Sequence, residues 1–383
     1  MIYADWAADA PICENAKTSL RHGMETLGNP SSVHAAGISA RAVIEAARAM
    51  VADLIGCDAD EIYFTSGGTE ADNLAVLGGY EYAKNVLGRV AIVTSAIEHA
   101  AVMNTVRHLE FLGADVRYVD ATECDSSGEP TGRVCARVFE ENLSGAGLVC
   151  LMYANNETGT IQPVREVTEL AHSVGAVVFC DAVQAVGHVP INVRELGVDM
   201  LSLSGHKFGA PSGVGALYVR RGITLPPMMH GGGQEKGLRS GTPPTMLIAS
   251  LGAACAEAGD NLIHEDGVRK LRDHIARELL SIDGAHLNGS AKHALPGVLN
   301  ISFDGVGGEE LMNLCSLRGV CISTGSACHA GNGTVSSVLI SMGMDNERAA
   351  GAVRISIGRA TTDDEVQEIA KIVLESARMI RNQ

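Results

Sequence analysis

The 383-residue chain is 46% hydrophobic and 19% charged, enough apolar sequence to close a large core and form two domains. Lys and Arg number 29 against 45 Asp and Glu, a net charge of −16, and the basic residues gather into no stripe, so nucleic acid is not an expected partner. The longest uncharged apolar run, PTMLIASLGAACA over 244–256, is shorter than the roughly 20 residues of a membrane span, and MIYADW lacks a basic, apolar leader; no membrane segment and a cytoplasmic location are expected.

From about residue 40 to 220, β-rich runs alternate with helical patterns. Strands are expected at EIYFT (61–65), VAIVTS (90–95), VRYVD (116–120), GLVCLMY (147–153), AVVFCD (176–181), MLSLSG (200–205) and GALYVR (215–220). This alternation predicts an α/β fold with a mainly parallel seven-stranded sheet covered by helices. A helical run over 245–282 follows, with Pro243 and Pro244 at its start. Beyond it, strands at 297–303, 319–324 and 352–357 mix with helices near 308–317, 335–343 and 362–381, a smaller α+β unit. The expected division is a large domain over 15–260 and a small one of 1–14 and 261–383.

The ten cysteines show no C-x-x-C or Cys/His ligand spacing, so no metal site is expected. Those in LVCLMY, VVFCDA and GAACAEA read as buried thiols. Cys328 is different: STGSACHAGNG (323–333) surrounds it with small residues that predict an exposed, mobile loop.

In an open α/β sheet, ligands bind at the carboxyl ends of the strands. There FTSGGTEADN offers Gly67, Gly68 and Thr69 at a helix start, suited to an anion but equally to an ordinary glycine turn. Asp181 leaves an apolar strand with Gln184 three residues on; it serves either as a helix cap or as partner to a protonated heterocyclic nitrogen. Lys207 follows another apolar strand, where desolvation would make it a nucleophilic amine, flanked by Ser204 and His206. An anion cup, a ring-nitrogen carboxylate and a reactive lysine together suit pyridoxal 5′-phosphate.

On GNPSSVHAAGISAR, FTSGGTEADNLAV, NNETGTIQPV, CDAVQAVGH, SGHKFGAPSGVGALYVR, GGGQEKGLRSGTPP, GSACHAG and VRISIGRATTDDEV, the chain resembles the cysteine desulfurases over nearly its whole length. These are class V, fold-type I pyridoxal-phosphate enzymes. The resemblance implies conversion of L-cysteine to L-alanine, with sulfur passing to an enzyme cysteine as a persulfide and on to an iron–sulfur scaffold or a thiolation enzyme. It implies that Lys207 carries the cofactor, Asp181 meets the pyridine nitrogen, Gln184 the ring hydroxyl, and His99 stacks on the ring and helps move protons. Gly68, Thr69, Ser204 and His206 would hold the phosphate, with Thr242 reaching across from the second subunit of a homodimer. Asn156, Arg354 and Asn29 would hold the substrate carboxylate, Asn156 also bordering the cofactor, and Cys328 would take the sulfur. A selenocysteine lyase, a class V transaminase and a non-enzymatic sulfur-transfer subunit are the alternatives. The chain departs from the family at DWAADAP, where Trp6, Asp9 and Ala10 replace an Asn and two Thr, and at TVSSVL after the cysteine.

Overall fold

The computed structural model describes residues 1–25, 27–324 and 335–382. Its strands run in chain order as β1 (Ile2–Tyr3), β2 (Ile62–Thr65), β3 (Ala91–Ser95), β4 (Asp115–Val119), β5 (Ala146–Cys150), β6 (Val177–Asp181), β7 (Met200–Ser204), β8 (Gly215–Val219), β9 (Ala285–Leu287), β10 (Val298–Phe303), β11 (Val320–Cys321) and β12 (Val353–Ser356).

Strands β2 to β8 are the seven read from the sequence. They form one sheet in the order β2-β8-β7-β6-β5-β3-β4, in which only β8 runs antiparallel to its neighbours. The largest displacement is at GLVCLMY: β5 stops at Cys150, although Leu151 and Tyr153 still donate their N–H groups to the carbonyls of Phe179 and Asp181.

Every residue of β3, β5, β6, β7 and β8 is buried, as strands covered on both faces require. Side-chain alternation divides them between two cores. Ile92, Leu148, Phe179, Met200 and Leu217 join one with the helices Gly68–Tyr82 and Ala100–Phe111. Val93, Val149, Val178, Leu201 and Ala216 join the other with the helices Ala35–Ile55, Val164–Ser173 and Thr245–Asn261.

A third core lies between the antiparallel sheet β12-β10-β9 and the helices Glu265–Leu279, Gly308–Leu317 and Asp363–Arg381. The last helix opens with a capping box, Thr362 and Glu365 each satisfying the other's backbone N–H. The helical run expected over 245–282 spans Thr245–Leu279, with Pro244 as N-cap and a 3₁₀ turn at Leu262–His264. It is long and apolar enough to cross a membrane by length and composition. Its apolar residues are used internally: Ile248, Leu251, Ala254 and Cys255 before the turn join a sheet core, and Val268, Ile275 and Leu279 after it join the third.

Two features of this topology position the site. Chain order reverses between β3 and β5, which opens a crevice at their carboxyl ends. The N-terminal segment then crosses to β12: Trp6 N–H donates to Ser356 O, and Ala7 N–H to Ser356 Oγ at 2.9 Å.

Candidate active site

The turn after β2 is shaped by its two glycines. Gly67 has φ of +151°, a conformation that side chains disfavour, and a Cβ on Gly68 would come within 2.8 Å of Val183 Cγ2. The helix Gly68–Tyr82 starts without a side-chain cap, leaving its first N–H groups free to face an anion. Gly68 and Thr69 border the same cavity as Ser204, which ends β7, and His206, in the 3₁₀ turn Gly205–Lys207 just beyond it.

Lys207 closes that turn, and its Nζ donates to Ala7 O at 2.9 Å and Ala8 O at 2.8 Å. Burial, reinforced by the Arg354 charge, lowers its pKa from 10.5 to about 8. A usable fraction of the side chain is therefore free amine near neutral pH.

Asp181 ends β6 with 4% exposure and accepts the Val183 N–H at 2.9 Å. Burial raises its pKa, opposed by His99, the Val183 N–H and Lys207. Gln184 is buried, not solvated, and donates to Ala7 O at 3.0 Å. His99 is both a helix cap and a cavity residue. Its Nδ1 accepts the Ala101 N–H at 3.2 Å, so in the neutral ring the proton sits on Nε2.

Arg354, 3% exposed on β12, is no surface ion pair. Its guanidinium donates to Asp5 Oδ1 at 2.8 Å and to Asn156 O at 2.6 Å, while Nε is buried with no hydrogen-bond partner among the described residues. Two of its nitrogens are thus fixed, and the side chain lines the cavity as a cation.

A cavity of about 640 Å³ joins these groups: Gly68, Thr69, His99, Asn156, Asp181, Gln184, Ser204, His206, Lys207 and Arg354 all line it. That volume lies within the roughly 300–1,000 Å³ of small-molecule sites. Two expected residues stand apart from it. Asn29 is exposed and turned back on its own loop, accepting the Ser31 N–H, and Thr242 is exposed on the surface. Cys328 lies outside the described residues.

Sequence reasoning missed four ionisable wall residues, Asp72, Glu98, Arg107 and Glu157. Asp72 lies one helical turn beyond Gly68, so helical periodicity alone places it on the cavity face. Glu98 adjoins His99; Met152 N–H and Ser95 Oγ donate to its Oε1, and burial pushes its pKa up to about 8. Its Oε2 is buried without a hydrogen-bond partner among the described residues. Arg107, two turns past His99, carries no sequence signal that separates it from a solvated arginine.

The donor set fits pyridoxal phosphate: an uncapped helix start for the phosphate, a buried carboxylate for the ring nitrogen, and a desolvated amine between them.

The class-V aminotransferase family model matches residues 2–369. A cysteine desulfurase IscS of Methanosarcina thermophila is 39% identical over 384 residues, covering 100% of this chain and 93% of that relative. Among solved structures, a NifS-like protein aligns with TM-score 0.90 at 34% identity, covering 99% of both chains. Another, described as SspA in complex with cysteine, aligns with TM-score 0.79 at 33% identity, covering 93% of this chain and 99% of that one. With full-length relatedness added to a site of this chemistry, the chain belongs to the cysteine desulfurase branch of the class-V aminotransferases.

Proposed function

We propose that this chain binds pyridoxal 5′-phosphate at Lys207, converts L-cysteine to L-alanine, and passes the sulfur through Cys328 to a protein acceptor. The observation that carries this reading is the convergence of Lys207, Asp181, His99, the Gly68–Thr69 helix start and Arg354 on one cavity at the strand ends. When bound, the cofactor supplies an electron sink for charge developing at the amino-acid Cα.

The protein's own groups do the rest. Gly68, Thr69, Ser204 and His206 would hold the phosphate, and Asp181 would hold the ring nitrogen's proton. Gln184 would serve the ring hydroxyl, and Asn156 and His99 would border the ring. Arg354 and Asn156 fix the substrate carboxylate, so the Cα hydrogen is aimed at the Lys207 amine, which its lowered pKa suits to move that proton near neutral pH. Asn29 belongs to this set only if its loop turns inward. In the net transfer, the substrate C–S bond breaks, an S–S bond to Cys328 forms, and the carbon takes a proton to leave as alanine. Residues 1–14 and 261–383 form the smaller unit that carries Arg354 and the Cys328 segment.

The enzyme acts as a cytoplasmic homodimer in which Thr242 completes the partner's phosphate site, delivering sulfur to an iron–sulfur scaffold or a thiolation enzyme. The test is to incubate purified protein with L-cysteine, quantify alanine, and locate the persulfide by mass spectrometry. Alanine with a persulfide on Cys328 supports the reading; no alanine from cofactor-loaded protein refutes it.

A further inference from the structure

Asp72 has no part in the scheme above, yet it is 1% exposed and lines the same cavity. One oxygen of Asp72, one of Asp181 and a ring nitrogen of His99 lie within 4.8 Å of one another. The fold builds this juxtaposition. Asp72 sits one turn into the helix Gly68–Tyr82, facing the sheet, while Ser202 on β7 is the register partner of Asp181 on β6. The Ser202 hydroxyl donates to Asp72 Oδ1 at 2.6 Å, tying the helix carboxyl to the strand pair that presents Asp181.

Two carboxylates this close and this dry cannot both ionise at neutral pH. Their surroundings are unequal. Asp181 has the positive charge of Lys207, the His99 ring and the Val183 N–H to stabilise an anion, whereas Asp72 has only the Ser202 hydroxyl and faces the acidic side chains of Asp181 and Glu98. The other titratable groups coupled to Asp72 are the buried thiols of Cys150 and Cys180, both held protonated by burial.

We propose that Asp72 is a positioning residue that holds the one proton of this pair, so that Asp181 stays an anion aimed at the ring nitrogen. The proposal rests on the reading of Asp181 as the ring-nitrogen carboxylate. It goes further, because it makes the charge of that carboxylate depend on a second acid to which the scheme above gives no role.

The test uses full-length protein freed of cofactor, with denaturant unfolding measured from pH 5 to 9. An acid that stays protonated in the fold but ionises in the unfolded chain makes stability fall as pH rises, by about tenfold in the unfolding constant per pH unit for each proton. Asp72→Asn is expected to remove one such proton, reducing the pH dependence between pH 5 and 7 by about tenfold per unit. An unchanged dependence would place the proton on Asp181 and overturn the proposal. Should Asp72→Asn not fold, Ser202→Ala serves instead. Loss of the Ser202 hydrogen bond to the Asp72 anion should extend the falling limb to higher pH, and an unmoved limb counts against the proposal. Reduction of pyridoxal phosphate onto Lys207 of the parent protein is scored separately, so failure of the cofactor reading is distinguishable from failure of the proton assignment.

Discussion

Lys207 and Arg354 are the two side chains whose burial decides the chemistry. The folded pKa of Lys207, about 8, lies below its unfolded value of 10.5, so between these the unfolded chain binds a proton that the fold does not. Stability therefore rises with pH across that window, by up to about tenfold in the unfolding constant per unit. Lys207→Met should abolish this rise in cofactor-free protein, as measured by urea unfolding at pH 7, 8, 9 and 10. For Arg354, removing the guanidinium strips Asp5 of its ion-pair partner and the cavity of its cation. Arg354→Gln should cost roughly 3 kcal/mol in stability and raise the KM for L-cysteine at least about tenfold, with a smaller change in kcat. Both residues were legible in the sequence, because a charged side chain inside an apolar strand or at its end has few bland explanations. Asp72 and Glu98 were missed: helical periodicity from Gly68 places Asp72 on the cavity face, but only the folded arrangement shows that it and Glu98 are both buried against the same cavity.

At the scale of elements, the N-terminal segment is where sequence and structure inform each other most. DWAADAP departs from the family, and the fold shows what the departure does. The Trp6 ring lies on Gly358, where a Cβ would meet Trp6 Cε3 at 2.1 Å. The indole thereby fastens the segment whose Ala7 and Ala8 carbonyls hold Lys207. Asp9 Oδ1 lies 3.0 Å from His206 Nδ1, so the second replacement places a carboxylate on a residue that lines the cavity. Gly358→Ala should displace the indole and destabilise by about 1–3 kcal/mol. Because Trp6 is the chain's only tryptophan, a red-shifted emission spectrum reports the displacement directly; emission and stability both at parent values would show that the packing is not constraining. Five of the seven sheet strands, β3 and β5 to β8, were readable because strands buried on both faces are mostly apolar runs, whereas β4, with Asp115 and Tyr118 exposed, was readable from its Val and Tyr residues. The two-residue strands β1 and β11 were not readable as a pair, since only tertiary contact joins Ile2 to Val320 and Tyr3 to Cys321.

For the whole molecule, Asn29 and Thr242 are the expected residues that lie off the cavity among those described. Ten of the expected residues meet in one cavity, whereas Thr242 is exposed outside it. No sequence pattern tells a residue that serves its own site from one that serves a neighbour's, because the difference lies in assembly. If Thr242 completes the phosphate site of a second copy, sedimentation equilibrium should give twice the 39.9 kDa chain mass. Thr242→Ala should then weaken pyridoxal-phosphate retention in the dimer; a monomer with full retention would remove Thr242 from the site.

The account depends above all on which amine carries the cofactor. Protein loaded with pyridoxal phosphate, reduced with borohydride and mapped by peptide mass spectrometry should carry one pyridoxyl group, on Lys207. An adduct on another lysine, or none, would contradict it.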